Sequence, residues 1–466
     1  MDTNRGFQLS QQWKQCLAAL GVSAGISSWG MFVIWLSLEP NVLSNWISTL
    51  VMIIGSMVGA VSADTFGRKR TLLVMLVMIL LQLFLGGYTL IMSHYDYGFS
   101  ITLIILLAFI IGATSTVVPV YLSEIAGTNI REILMLMPLP GFCIAMIIAL
   151  LVYINQPTDL LTTYLVGCLA VVMMLFHGVV LITCPETPYY LNWKGKHDEA
   201  ENSLKFYTKS DYLRVPEDVS KLNEKQNADG FLLEWKLKMK ELVRKENLRR
   251  LAIVFSLIII KWVIGGRQNF DIVDELMYCT TDPLFFLILI PMLMFSIFFI
   301  LCVNLFKKKP ALLVAIAFSF ASTVIDIIFP GLPIIVVCLK FLCHAILVAV
   351  ILAQVGNLFP TNVKAVAIAI VTSFQLLTRN LYDLIEGTLL YGYGSYHHIH
   401  WEVKSYVDAA LIVVIFILAL TLYPKSTEAF SAKTSEHYST RTTGPLVFRC
   451  DKTGLESGVV TCEIKR

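Results

Sequence analysis

Long apolar runs dominate this sequence and restrict its possible folds more than any other feature. A helix needs roughly 20 apolar residues to cross a bilayer, because each residue advances the helix by only about 1.5 Å. Six runs of about that length precede residue 184 and six follow residue 250. They fall at about 16–38, 46–64, 71–92, 100–122, 132–154, 161–183, 251–276, 283–305, 310–330, 332–357, 364–392 and 403–423. The pattern predicts an all-α membrane protein with twelve transmembrane helices.

The composition favours the same fold class over a large soluble core. Hydrophobic residues make up 56% of the 466 residues, charged residues make up 15%, and the mean hydropathy is +0.72. Soluble domains carry about 25% charged residues. The ten cysteines show no paired spacing, and the chain contains no phosphate-binding glycine loop and no nucleophile–base arrangement. We therefore expect no disulfide framework, no metal or cofactor, no enzymatic activity and no nucleic-acid partner.

Polar segments divide the chain into five parts. Residues 1–15 form an N-terminal segment, 16–183 a first six-helix bundle, 184–250 a linker, 251–424 a second six-helix bundle and 425–466 a tail. Most of the 36 Lys and Arg residues lie in the linker, in the two ends and in turns on the same side of the bundles. Because cytoplasmic segments carry an excess of positive residues, we expect both termini and the linker to be cytoplasmic.

The linker and the tail differ in character. In the linker, Trp193, Leu204 and Phe206 are interleaved with Lys and Glu residues, a pattern typical of amphipathic helices. We expect short helices that lie against the cytoplasmic face of the bundles. The tail from Lys425 onward carries Ser, Thr and Lys with few apolar clusters, so we expect it to be disordered.

Four short motifs lie at the ends of predicted helices on the cytoplasmic side. They are Asp64-x-x-Gly67-Arg68-Lys69, Pro119-Val120-Tyr121-Leu122-Ser123-Glu124 followed by Arg131, Pro185-Glu186-Thr187-Pro188-Tyr189-Tyr190-Leu191, and Gly356-x-x-Phe359-Pro360-Thr361 followed by Lys364. Their identity and order resemble the sugar-porter branch of the major facilitator superfamily. Pro138 and the opening Gln15-x-Leu17-Ala18-Ala19 resemble its insect facilitated trehalose transporter subgroup. The first half of the chain matches this pattern better than the second.

The resemblance implies two six-helix bundles that rock around a central cavity and expose it to each side in turn. It also implies that charges at the cytoplasmic helix ends form an ion-pair network that closes an inner gate. The expected members are Asp64, Arg68, Lys69, Glu124, Arg131 and Glu186. The alternative is that these charges only anchor loops among lipid headgroups. The expected partners are a small solute, with sugar as the leading candidate, and the bilayer of the plasma membrane.

The second half departs from the family pattern at its gate positions. Asn304, Asn357 and Lys425 stand where the family has acidic residues, while the basic residues remain. Without acidic partners the cations would repel one another and weaken this half of the gate; anchoring to anionic lipids is the alternative. The cations concerned are Lys308, Lys309, Lys364 and Lys425.

The resemblance places the solute site on the predicted seventh and eleventh helices. The candidates at those positions are Lys261, Trp262, Arg267, Gln375 and Arg379. Sugar hydroxyls are bound by neutral amides and an aromatic face, and only Gln375 and Trp262 keep that character. Charged residues recur instead, and a charge at the bilayer centre normally faces a cavity or a partner. Either the cavity binds a polar or ionised solute, or Arg267–Asp271 and Arg379–Asp383 are structural ion pairs.

Energy coupling is predicted from two further positions. Proton-coupled family members carry an aspartate on the first helix and an arginine on the fourth, where this chain has Phe32 and Ile104. We therefore predict a facilitative transporter (a uniporter) of a sugar, trehalose-like or glucose-like. The alternatives are a transporter-like sensor or scaffold without transport, and a carrier of a charged organic solute. The oligomeric state is left open by the sequence.

Overall fold

The computed structural model describes this chain in long stretches and several short pieces. The described residues are 9–37, 45–92, 97–127, 130–138, 141, 160–208, 230–265, 308–328, 339, 343, 346–348, 350–352, 354–356, 358–360, 362–391 and 409–417. Four predicted spans, at 132–154, 283–305, 332–357 and 403–423, lie largely or wholly outside these residues, as does the predicted tail.

The described part of the first half is helical. Its helices are α1 (Leu9–Ser37), α2 (Asn45–Phe66), α3 (Arg68–Met92), α4 (Tyr97–Ile125), α5 (Arg131–Leu136) and α6 (Leu160–Thr183). The predicted spans 46–64, 71–92, 100–122 and 161–183 fall within α2, α3, α4 and α6. Among the described residues, two segments are long and apolar enough to cross a membrane by length and composition: Trp46–Phe66 and Ile101–Ile125.

The linker and the second half supply the remaining helices. The linker contains α7 (Pro188–Trp193), α8 (His197–Thr208) and α9 (Gly230–Leu242), and the second half contains α10 (Lys245–Gly265), α11 (Lys308–Ile328) and α12 (Lys364–Tyr391). Residues 409–417 are also helical. We refer to the end of the bundle where α2 meets α3 as the Gly67 end.

Helix α1 begins at Leu9, within the segment 1–15 that was expected to be a polar terminus. The reason is tertiary. The side chain of Gln15 is buried, donates through Nε2 to the carbonyl oxygen of Tyr207 at 2.9 Å, and accepts through Oε1 from the backbone N–H of Gly127 at 3.2 Å. These bonds hold the extra polar turns of α1 against the linker.

Helices α2 and α4 cross at very short range because glycines lie at the crossing. A Cβ added to Gly112 would overlap the carbonyl oxygen of Met52, and one added to Gly55 would overlap that of Phe109. Small residues of this kind let two helix backbones approach closely in a membrane, where packing rather than the hydrophobic effect drives association. The crossing fixes the positions of the two helix ends that carry Asp64 and Glu124.

The two halves meet along a seam between α2 and α12. Ser56 lies on α2 and donates to the carbonyl oxygen of Ala369 at 3.3 Å, and the amide of Asn380 donates to the hydroxyl of Thr49. A large apolar cluster extends across the same seam. It joins α10, α11 and α12 to Ala60, Val120, Ile133 and Leu136 of the first half. The halves are therefore in contact at several levels along α2.

Two linker helices pack on the Gly67 end of the first half. The hydroxyl of Tyr207 on α8 donates to the carbonyl oxygen of Pro185 at 2.8 Å and lies 3.0 Å from the hydroxyl of Tyr121 on α4. Leu204 is buried, and Phe206 packs against the apolar core of the first half. Leu204 and Phe206, two of the residues that suggested amphipathic helices, thus pack inward.

Candidate functional site

The turn between α2 and α3 depends on Gly67. This residue has φ of +106°, in the region that residues with a Cβ rarely adopt. A Cβ at this position would also overlap the carboxylate of Glu186. The turn lets α3 start two residues after α2 ends. It thereby places Arg68 beside the last turn of α2.

Arg68 is the centre of a buried ion-pair cluster. Its Nη2 atom lies 3.1 Å from Oδ1 of Asp64 and 3.0 Å from Oε1 of Glu124, and its Nη1 atom donates to the carbonyl oxygen of Ala63 at 3.1 Å. The residue is 2% exposed, and its guanidinium lies 4.8 Å from the ring centroid of Tyr190. Charged hydrogen bonds are strong in such a setting, because the surrounding protein screens them little. The cluster ties the ends of α2, α3 and α4 together.

The motif after α6 joins the same cluster through Thr187. The hydroxyl of Thr187 donates to Oε2 of Glu124 at 2.6 Å, so both oxygens of Glu124 are engaged, one by Arg68 and one by Thr187. Tyr190, three residues further on, donates its hydroxyl to the carbonyl oxygen of Thr65 at 2.9 Å. These bonds bring three motifs that are far apart in sequence to one place.

Glu186 holds the backbone of the α2–α3 turn. Its carboxylate accepts from the backbone N–H of Lys69 at 3.0 and 3.1 Å and from its neighbour Thr187 at 2.9 Å. Burial raises the pKa of the Glu186 carboxyl above its usual value of 4.5. The hydrogen bonds from the backbone N–H groups of Thr187 and Lys69, together with the charge of Arg68, oppose this rise.

Replacing Glu186 with glutamine is expected to remove one component of the pH dependence of stability. The pKa of Glu186 is higher in the folded chain than in the unfolded chain, so the folded chain binds this proton more tightly. The contribution of this carboxyl to the free energy of unfolding is fully present below the pKa of the unfolded chain. It is lost as the pH rises through the higher pKa of the folded chain. The melting temperature of the wild type, relative to Glu186→Gln in the same detergent, should fall as the pH rises from about 4. Parallel curves for the two proteins would contradict this expectation.

Two predicted network members lie beside the cluster but outside its ion pairs. In the part of the chain that the structure describes, Lys69 donates its Nζ to the carbonyl oxygen of Ile182 at 3.1 Å and forms no ion pair. Arg131 lies at the start of α5, and its buried Nε atom has no hydrogen-bond partner among those residues. Of the six predicted residues, Asp64, Arg68 and Glu124 are directly paired. Glu186 is connected to them through Thr187.

One member of the cluster was missed by sequence reasoning. Lys238 on α9 lies with its Nζ atom 2.8 Å from Oδ2 of Asp64, and both side chains are 3% exposed. Lys236 and Lys240 on the same helix are exposed. Helical periodicity could have found it, because Lys238 lies three residues after Trp235 and four before Leu242 on the apolar face of α9, whereas Lys236 and Lys240 lie on the opposite face.

Lys364 approaches the cluster from the second half. It is the first residue of α12 and is 3% exposed, with Arg131, Glu124 and Arg68 as its charged neighbours among the described residues. Lys308 and Lys309 lie at the start of α11. Asn304, Asn357 and Lys425 lie outside the described residues, so the predicted weakening of this half of the gate stays a prediction.

Four of the five candidate solute residues fall on α10 and α12. Lys261 is 4% exposed on the face of α10 that also buries Val254 and Ile258, whereas Gln375 on α12 is partly buried. Trp262 lies on α10 and Arg379 on α12. Arg267, like Asp271 and Asp274, lies outside the described residues.

The contact between α10 and α12 shows how far along each helix the candidate residues lie. The rings of Phe255 and Phe374 stack with centroids 4.0 Å apart and planes 18° apart. Both helices start near the Gly67 end, so they run in the same direction. Lys261 then lies about 9 Å beyond Phe255 along α10, and Arg379 about 8 Å beyond Phe374 along α12. Two of the candidate residues, Lys261 and Arg379, therefore lie at about the same distance from the Gly67 end.

Comparison with known proteins identifies the family. The family described as "Sugar (and other) transporter" matches residues 7–433. The chain belongs to this family. Its members are integral membrane transporters rather than enzymes, in agreement with the absence of catalytic motifs noted above. The assignment to the sugar porters of the major facilitator superfamily is confirmed at this level.

Curated relatives of this family match part of the chain. A segment of 191 residues, 39% of the chain, is 30% identical to plastidic glucose transporter 4 of Arabidopsis thaliana and covers 33% of that protein. A segment of 232 residues, 47% of the chain, is 26% identical to facilitated glucose transporter member 3 of Gallus gallus and covers 44% of it. The matches therefore span between a third and just under half of the length of these relatives.

Solved structures confirm the fold. The proton:xylose symporter XylE bound to 6-bromo-6-deoxy-D-glucose aligns with a TM-score of 0.65 over 90% of this chain and 97% of that one, at 16% identity. The human organic anion transporter MFSD10 aligns with a TM-score of 0.59 over 87% and 98%, at 13% identity. The predicted major facilitator fold is correct.

Proposed function

We propose that this chain carries a sugar across a membrane by facilitated diffusion, with its two halves moving to open a central cavity to each side in turn. The observation that carries the proposal is the buried cluster in which Arg68 is held by Asp64 and Glu124 beside the seam between the halves. Family membership and the sugar transporters named among its relatives support sugar as the solute. Phe32 and Ile104 stand where proton-coupled family members carry an aspartate and an arginine, and this supports transport without proton coupling.

The cluster suits this mechanism because it makes the first half rigid. Arg68, Asp64 and Glu124 belong to three helices of the first half, and Thr187 attaches the linker to them. Breaking a buried ion pair by removing one partner costs about 3–5 kcal/mol, so these helix ends move together. The contacts that separate during rocking are then those of the seam, such as Ser56 with Ala369 and Thr49 with Asn380.

The proposal also includes the orientation in the membrane, the substrate, the location and the gate residues. We place the Gly67 end on the cytoplasmic side, because Arg68, Lys69, Arg70 and the basic linker lie there. Both chain ends are then cytoplasmic. The motifs at Gln15 and Pro138 support a trehalose-like substrate, and the subgroup that they resemble supports the plasma membrane as the location. The predicted gate residues Asp64, Arg68, Lys69, Glu124, Arg131 and Glu186 form the first-half side of the gate, which opens at its contacts with the second half.

Uptake in proteoliposomes tests the proposal. Radiolabelled trehalose, glucose and several organic ions would each be offered to the reconstituted protein, with and without a pH gradient, and empty liposomes provide the background. We expect saturable sugar uptake that does not depend on the gradient. Sugar uptake that requires a pH gradient would refute the uniport mechanism. No uptake of any solute by folded protein would favour a sensor or scaffold.

A charged organic solute is the second candidate, and Lys261 is the observation that favours it. Lys261 is 4% exposed on an apolar helix and lies at the level of a second cation, Arg379, an arrangement that would suit a carrier of ionised solutes. Uptake of an organic ion without uptake of sugar would select this candidate.

Replacing both Lys261 and Arg267 with glutamine is expected to change solute selectivity. Neutral amides are the groups that hold sugar hydroxyls, so the ratio of sugar uptake to organic-ion uptake should rise by about tenfold, as for a difference of about 1.4 kcal/mol in binding. Lys240→Gln, on the exposed face of α9, provides the control because it makes the same chemical change away from the cavity. Unchanged selectivity in the double variant would remove both residues from the site.

A further inference from the structure

We propose that Arg131 and Lys364 bind an oxyanion of the phosphate class at the Gly67 end of the bundle. Arg131 is the first residue of α5 and Lys364 is the first residue of α12, so the site lies where these two helices begin. The ligand is a phosphate group, either free in solution or carried by a lipid headgroup. The site is separate from the candidate solute residues, and its existence does not depend on the transport proposed above.

The two cations are brought together because α5 packs against the segment that leads into α12. A Cβ added to Gly356 would lie 3.2 Å from Cε of Met135, which is four residues after Arg131 on α5. Val363, next to Lys364, belongs to the large apolar cluster together with residues of α5. Arg131 is accordingly one of the charged neighbours of Lys364.

Both cations are withdrawn from water, and neither forms an ion pair within the part of the chain that the structure describes. Lys364 is 3% exposed. Arg131 is partly buried, and its buried Nε atom has no hydrogen-bond partner among the described residues. Like charges removed from water repel each other, and a buried charge without compensation is costly. An anion bound between the two cations would remove this cost.

The nearby carboxylates are already used by other groups. Glu124 is the acidic residue among the charged neighbours of Lys364. Its Oε1 atom is paired with Arg68, and its Oε2 atom accepts from the hydroxyl of Thr187. The other two carboxylates of the cluster are likewise bonded through both oxygens to other groups: Asp64 and Glu186. The compensating negative charge must therefore come from outside the described chain.

A phosphate-type oxyanion matches the chemistry of these two side chains. The planar guanidinium of Arg131 offers donors that bind two oxygens of one oxyanion, and the ammonium of Lys364 adds a point charge. A phosphate monoester carries about −1.5 to −2 charges at pH 7, close to the positive charge of the pair. Since Arg131 is only partly buried, the anion can reach the site from water, while Lys364 lies deeper.

The melting temperature of the full-length protein in a neutral detergent tests the site, with chloride replaced by inorganic phosphate at constant ionic strength. Without phosphate, Lys364→Gln should melt at or above the wild-type temperature, because the substitution relieves the repulsion from Arg131. At saturating phosphate the wild type should melt about 2–4 °C above the variant, because the ligand stabilises only the protein that binds it. General stabilisation by phosphate acts on both proteins and cancels in this comparison.

Equilibrium binding of radiolabelled phosphate gives a second measurement with matched controls. Arg131→Gln and Lys364→Gln should each weaken binding by about tenfold or more, as expected for the loss of a charged hydrogen bond. Lys364→Arg keeps the charge and should retain most of the binding. Lys240→Gln makes the same chemical change on the exposed face of α9 and should bind phosphate as the wild type does.

A second arm identifies the source of the phosphate group. The same melting curves are recorded in mixed micelles of phosphatidylcholine with and without phosphatidic acid. Stabilisation by inorganic phosphate indicates a soluble anion, and stabilisation by phosphatidic acid alone indicates a lipid headgroup; each must disappear in Lys364→Gln. If neither ligand has an effect that depends on Lys364, the proposal is overturned. No sugar is present in these measurements, so their result stands apart from the uptake assay that tests sugar transport.

Discussion

Replacing Arg68 with methionine is expected to lower the free energy of unfolding by about 3–5 kcal/mol and to abolish uptake. The substitution keeps much of the side-chain volume but leaves Glu124 buried without its cation and Asp64 with Lys238 alone. The ends of α2, α3 and α4 then lose the group that holds them together. Thermal unfolding in detergent and uptake in proteoliposomes measure the two effects.

Arg70→Met is the matched control for this prediction. Arg70 is two positions further along the same helix and is exposed, and surface charges of this kind contribute about 0–1 kcal/mol. Arg68→Lys should be intermediate, because an ammonium keeps the charge but lacks the planar fork of a guanidinium. If Arg68→Met melts at the same temperature as Arg70→Met, the cluster does not stabilise the fold as described.

Replacing Gly112 with alanine is expected to be the most damaging single-methyl change in the first half. A Cβ at this position would overlap the carbonyl oxygen of Met52, which belongs to the backbone of α2 and cannot rotate away. The two helices must move apart, and overpacking of this kind costs about 1–3 kcal/mol or more. The shift would also displace Asp64 relative to Glu124, so uptake should fall together with the melting temperature.

Gly167→Ala provides the control for the crossing. Gly167 lies on α6, and a Cβ there would meet nothing within 4 Å. Alanine at such a helical position should be neutral or stabilising by up to about 1 kcal/mol, because it restricts the unfolded chain. If Gly112→Ala lowers the melting temperature no more than Gly167→Ala does, then α2 and α4 can separate at little cost.

Much of the fold could be predicted because a membrane restricts the choices. In a bilayer every backbone polar group must be bonded within the protein, so an apolar run of about 20 residues is a helix. The positions of α2, α3, α4 and α6 follow from this rule. The start of α1 did not follow, because polar residues such as Gln15 extend that helix only through bonds to residues distant in sequence.

The candidate gate was predictable to the extent that its residues lie in short motifs. Asp64, Arg68, Glu124 and Glu186 each occupy a recognisable position at a helix end. The pairing among them was not predictable in detail, since Thr187 rather than a second cation engages Glu124, and Lys69 contributes its backbone N–H to Glu186 rather than its charge. The solute site on α10 and α12 stays a prediction.

The sequence by itself determined the class of this protein: apolar run lengths require helices in a membrane, and local motifs specify the family and the turn at Gly67. The tertiary structure alone decided which charges are partners. Lys238 and Lys240 are chemically identical and two residues apart, yet burial against Trp193 selects one of them for Asp64. Local sequence restricts what a segment can become, whereas the strength of an electrostatic contact depends on distance and burial, which packing of distant segments sets.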